Sequence, residues 1–253
     1  MGRLRRRCLL LPAPGGRLGP TGITVGPNGL VYVCDTWGHR ILVFGAPDGI
    51  IRSLGDFGDT RDAADPTVEP GRFYGPRDVA VAGEEIYVVD TGNERVQVFG
   101  LDGAFRRAFG GYGSALGQLI EPVGIAVAPD GRVYVADSGN GRISVFTTDG
   151  TPVAQWPVAA WAGQRDFEPY LALGTDGTLY ATSSATGSIE VFDTADGRHR
   201  ASITVVAGRR LEAPVGITVD PDGAIVITDR GIGAIVRSAP EGLPEGGLAT
   251  PAR

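Results

Sequence analysis

Three stretches of this chain nearly spell one another. "VYVCDTWGHRILVF" runs from Val31 to Phe44, "IYVVDTGNERVQVF" from Ile86 to Phe99, and "VYVADSGNGRISVF" from Val133 to Phe146. Such a chain is constrained first by its period, because one repeat is one supersecondary unit that must bury its apolar faces against its neighbours. Two weaker copies extend the series, and the five begin near Pro20, Pro76, Pro122, Pro169 and Pro214. The step is about 45 residues, within the range of propeller blades, with one longer gap before the second copy.

Every copy has the same parts. A Pro-led opening leads to an apolar run such as Ile125-Ala126-Val127, then to a tight turn spelled "GPNG", "AGEE", "APDG", "GTDG" or "DPDG". A second apolar run follows, then a turn built on Asp-x-Gly-Asn or a relative, then a third run that ends in Val-Phe in the first four copies. An outer run such as Ala104 to Phe109 completes the unit. β-Branched and aromatic runs bounded by Gly, Asn, Asp and Pro read as strands and turns. In the second copy Ile86, Tyr87, Val88 and Val89 are all apolar, so both faces of that sheet need cover. A ring of four-stranded antiparallel blades supplies it, since each sheet packs on the next.

The expected fold is therefore all-β: one β-propeller domain over residues 1–253, with five blades over about 20–55, 76–110, 122–156, 169–205 and 214–238 and a tail over 239–253. The fifth copy runs into "SAPEGLPEGGLATPAR", whose prolines are unsuited to a fourth strand. Cys8-Leu9-Leu10-Leu11 is the expected replacement, paired with Ile235–Arg237 to close the ring. An incomplete six-bladed propeller is the alternative.

The pattern P-x-G-I-x-V-x-P-D-G-x-V-Y-V-A-D-S-G-N-x-R-I-x-V-F resembles the NHL-repeat family of β-propellers. The second and third copies match it best. The fourth carries Ser183 and Ser188 at the Asp and Arg positions, and the fifth keeps Asp229 but has Ala234 for the Arg. The resemblance implies a non-catalytic binding or sensor module for a protein, peptide or carbohydrate, often within a larger and sometimes membrane-attached protein. The alternative is a metal-dependent propeller hydrolase or lyase with carboxylate ligands in the central channel. The fold hosts many activities, so the residues must decide.

Composition narrows the choice. The net charge is -6 and all 23 basic residues are Arg, a balance that disfavours nucleic acid as partner. Only two histidines are present, His39 and His199, so a histidine-rich zinc site is excluded. The two cysteines, Cys8 and Cys34, allow at most one disulfide and do not fix a compartment. The basic start "MGRLRRRCLLLPAP" holds too short an apolar run for a signal peptide. It reads as a frayed terminus or as the flank of a membrane segment.

Strand parity puts the opening loops and the second turns on one face. Variable loops on a rigid frame are where binding concentrates. The candidate ligand residues there are Trp37, His39, Arg77, Asp78, Trp161 and Tyr170. Asp78, Glu121, Glu168 and Glu212 are the candidate oxygen ligands for a hard cation such as calcium; the favoured reading needs no cofactor. Asp35, Asp90, Asp137 and Asp229 read as turn-bracing carboxylates, each bonding its own turn. Arg40, Arg95 and Arg142, five residues after the first three, read as their partners.

Overall fold

A computed structural model describes residues 19–47, 49–60, 69–164 and 167–239. Antiparallel sheets follow one another along the chain. Blade 1 comprises Pro20–Val25, Val31–Asp35, Arg40–Gly45 and Gly49–Leu54. Blade 2 comprises Asp78–Ala82, Glu85–Asp90, Arg95–Gly100 and Phe105–Gly110. Blade 3 comprises Pro122–Val127, Arg132–Asp137, Arg142–Thr147 and Pro152–Pro157. Blade 4 comprises Leu171–Leu173, Thr178–Ser183, Ser188–Asp193 and His199–Ile203. Blade 5 comprises Pro214–Val219, Ile225–Asp229 and Ala234–Arg237. The fold is a five-bladed β-propeller. The expected closing strand at Cys8–Leu11 lies outside the described residues, as does the tail beyond 239. Among the described residues no helix is long and apolar enough to cross a membrane.

The run of apolar residues in the second strands now has its reason. In blade 3, Val133 and Val135 face blade 2 and join Tyr87, Val89, Val96 and Val98. Tyr134 and Ala136 point the other way and join Leu171, Leu179 and Ala181 of blade 4. The period-2 alternation of a strand is intact, but both sides are buried, so both are apolar. Equivalent layers lie between blades 1 and 2 and between blades 4 and 5. Cys34 is buried in the first of these, where burial pushes its thiol well above the ordinary range.

The innermost strands come close together, and glycine permits it. A Cβ on Gly124 would stand 2.6 Å from the Pro169 carbonyl oxygen of the next blade. A Cβ on Gly22 would meet Asp78 at 2.3 Å. Blades 1, 3 and 5 carry a register shift at this point, whereas blade 2 pairs regularly from Asp78↔Val89 onward.

Candidate binding face

The second turns build the framework of the loop-rich face. Each of the first three closes as a single 3-10 turn ending in a left-handed residue: His39, Glu94 or Gly141. The strand register places Asp35 opposite Arg40, Asp90 opposite Arg95 and Asp137 opposite Arg142. The pairs meet at 2.9, 2.9 and 2.7 Å. Asp90, Asp137 and Asp229 also bond beyond their own turns, which adds to the sequence expectation. Asp90 accepts from the Tyr74 N–H and Asp137 from the Ile120 N–H, both in the loop that opens the same blade. Asp229, which faces Ala234 where the first three blades have Arg, accepts from the N–H groups of Glu212, Ala213, Gly231 and Ile232. In blades 2, 3 and 5 the recurring Asp is a clasp between the two loops that form this face. Burial raises the Asp90 carboxyl, and Arg95 with the donors around it opposes that shift.

Near the centre of the face, Arg77 pairs with Glu168, joining the openings of blades 2 and 4. The next residue, Asp78, is buried. It stands where blades 1, 3 and 5 have glycine, and its carboxylate accepts from the N–H groups of Val79 and of Ile125 in blade 3, each at 2.9 Å. The carboxylate fills the space that glycine leaves elsewhere and ties two inner strands. Burial pushes its pKa up to about 7. Tyr170 is buried beside it; burial raises the phenol, and the charges of Asp78 and Glu168 add to the shift.

The remaining candidates divide. Trp37 is 64% exposed, with its indole edge over Gly19. His39 accepts at Nδ1 from the Gly75 N–H, and its ring meets Phe57 at 4.8 Å and Tyr74 at 5.8 Å. Burial lowers the His39 pKa. Trp161 is no rim residue: it is 1% exposed, packs on Phe167 and donates its indole N–H to the Thr182 carbonyl. An indole in a polar loop looked like a ligand anchor because sequence does not show which way a loop side chain turns. The carboxylate set also fails to assemble. Glu168 is taken by Arg77, Asp78 by backbone donors, and Glu121 and Glu212 are exposed in separate loops. Among the described residues no three His, Cys, Asp or Glu side chains form a metal-holding group.

Sequence reasoning passed over Phe57 and Tyr112, both exposed in opening loops of this face. Their signal was there to find: lone aromatics set in Gly- and Asp-rich loops, away from any strand period.

The NHL repeat matches residues 18–44, 73–99 and 119–146. No curated protein matches the chain in sequence. Solved propellers do match in shape. A streptogramin B lyase aligns with 20% identity over 89% of this chain and 66% of its own, with a TM-score of 0.62. The virginiamycin B lyase from Staphylococcus aureus aligns with 18% identity over 90% of this chain and 72% of its own, with a TM-score of 0.62. A chain of a nidogen/laminin complex aligns with 18% identity over 91% of this chain and 82% of its own, with a TM-score of 0.66. At these identities the likeness shows the fold alone, and this chain spans 66% to 82% of the three. Three NHL repeats, one on each of the first three of five successive blades, make the chain an NHL-repeat β-propeller.

Proposed function

We propose that this propeller is a non-catalytic binding module whose loop-rich face takes a protein, peptide or carbohydrate. The observation behind this reading is the exposure of Trp37, Phe57 and Tyr112 together on that face. Stiff aromatic side chains give large contact area at low entropic cost and anchor most recognition surfaces. The loops that carry Phe57 and Tyr112 are tied to the frame by Asp90 and Asp137, so little order has to be gained there on binding. A protein ligand stands first, since a similar propeller occurs in a nidogen/laminin complex. The net charge of -6 weighs against nucleic acid.

The enzymatic alternative draws on the likeness to streptogramin B lyase. It needs a calcium-type oxygen cluster in the channel, and the four carboxylates named for it are engaged or apart.

Peptide and glycan arrays probed with wild-type protein and with Trp37→Ala test the reading. Ligands held by the wild type and lost by the variant, at unchanged Tm, support it. Array binding indifferent to both Trp37→Ala and Tyr112→Ala overturns it. One divalent ion held per chain, with melting lowered by chelator, would move the assignment to the enzyme.

A further inference from the structure

The exposed aromatics of the loop-rich face belong to one strip that crosses three blades. Trp37 stands two residues before His39, whose ring meets Phe57 at 4.8 Å. Beyond Phe57 the strip reaches the second turn of blade 2, where Asn93 donates to the Gly58 carbonyl at 2.9 Å and accepts from the Thr60 N–H at 2.8 Å. Glu94, the next residue, carries it to the loop that opens blade 3. Its carbonyl accepts from the Gly111 N–H at 2.7 Å, and its carboxylate from the Glu121 N–H at 2.6 Å. Tyr112 follows Gly111 and is 74% exposed, and Leu116 of the same loop is exposed as well.

The unpaired charge along this strip has one sign. Asp56, Glu69 and Glu121 are exposed, and among the described residues their carboxylates have no partner. The neighbouring cations are engaged: Arg40 with Asp35, Arg95 with Asp90, and Arg72 with the Phe57 carbonyl. In the sequence, residues 56–69 hold Asp56, Asp59, Asp62, Asp65 and Glu69 against Arg61 alone. The exposed arginines whose side chains lack a partner among the described residues, Arg209, Arg210 and Arg230, stand instead on blade 5. Aromatic faces attract cations through their quadrupole, and carboxylates pair with guanidinium or ammonium groups. A neutral ligand would cover these carboxylates without pairing them, and an acidic one would be repelled.

Resting on the binding role proposed above, we propose that this strip docks an Arg- or Lys-rich segment of a protein partner. Its cations meet the rings of Trp37 and Tyr112 and the carboxylates of Asp56, Glu69 and Glu121. The same division of charge orients the partner, with its basic segment over blades 1 to 3 and away from the arginines of blade 5.

The test follows the fluorescence anisotropy of a labelled peptide alternating Arg and Gly, and of its Glu-Gly counterpart, against the full chain. Two triple variants remove the same charge from opposite faces. Asp56→Asn with Glu69→Gln and Glu121→Gln alters the strip; Asp102→Asn with Asp130→Asn and Asp149→Asn alters the turns of the other face. The Arg-Gly peptide should bind about tenfold more weakly to the strip variant, as expected for three exposed ion pairs, and within about twofold of wild type to the other variant. Trp37→Ala should weaken it about threefold at unchanged Tm, and added salt should slow its association. Equal losses in the two triple variants overturn the proposal, because net charge and not the strip then holds the peptide. Failure to bind the Arg-Gly peptide at low salt, or tighter binding of the Glu-Gly peptide, overturns it too. An array ligand that needs Trp37 yet carries no basic residue and binds independently of salt overturns this inference and leaves the binding role standing. Array binding indifferent to both Trp37→Ala and Tyr112→Ala overturns both.

Discussion

Arg142 and Trp161 tie down neighbouring loops by opposite chemistry. Arg142, while paired with Asp137, also donates to the carbonyls of Ser114, Ala115 and Gln118, which holds the loop opening blade 3. Blade 4 has no such pair. Its Ser183 and Ser188 join a hydroxyl chain through Thr186, which ends on Glu190 with His199 and Ser202. There the loop is held by Trp161, buried under Phe167 and bonded to Thr182. The repeat therefore specifies a requirement, not a residue pair: the loop must be anchored. A cation with several donors meets it in one blade, and apolar burial meets it in the next.

The comparison can be broken most sharply at Trp161. Trp161→Ala leaves a cavity and should cost about 3–5 kcal/mol, read as a lower Tm. Hydrogen exchange should rise around residues 158–164 and stay unchanged around 111–119. A buried carboxylate without a cation gives the next contrast. Asp78 has its folded pKa raised from 3.8 to about 7, so it binds a proton more readily folded than unfolded. Its contribution is full below pH 4 and is lost as pH rises through about 7, on the order of 4 kcal/mol at about 1.4 kcal/mol per pKa unit. Subtracting the pH–stability profile of Asp78→Asn from that of the wild type should reveal that decline. Arg142→Ala should cost about 3 kcal/mol, because Asp137 still accepts from Ile120, Asn140 and Ser144. Its exchange signature should be the reverse of Trp161→Ala, confined to residues 111–119. The smallest effect belongs to Glu190→Gln, about 1–2 kcal/mol by urea melts, since its three partners retain hydroxyl or ring contacts.

Much of the frame was legible in the amino-acid sequence. The strand runs, the recurring turns of each unit and the facing of Asp35, Asp90 and Asp137 with Arg40, Arg95 and Arg142 all follow from local periodicity. The candidate site was legible only in part. Trp37 and Arg77 could be placed on the loop-rich face by strand parity, because parity needs no knowledge of packing. Trp161 could not be oriented, and the role of Asp78 could not be read. Both depend on how closely a neighbouring sheet approaches.

Sequence by itself determined that blades form and in what order, because alternation along a strand and turn residues at a fixed spacing are properties of the chain alone. Only the tertiary structure decided which blade faces are covered, that Arg77 reaches Glu168 two blades away, and that Asp90, Asp137 and Asp229 clasp the opening loops. Those outcomes depend on the curvature of the arc, which is a sum over every sheet-to-sheet contact and is written in no single repeat.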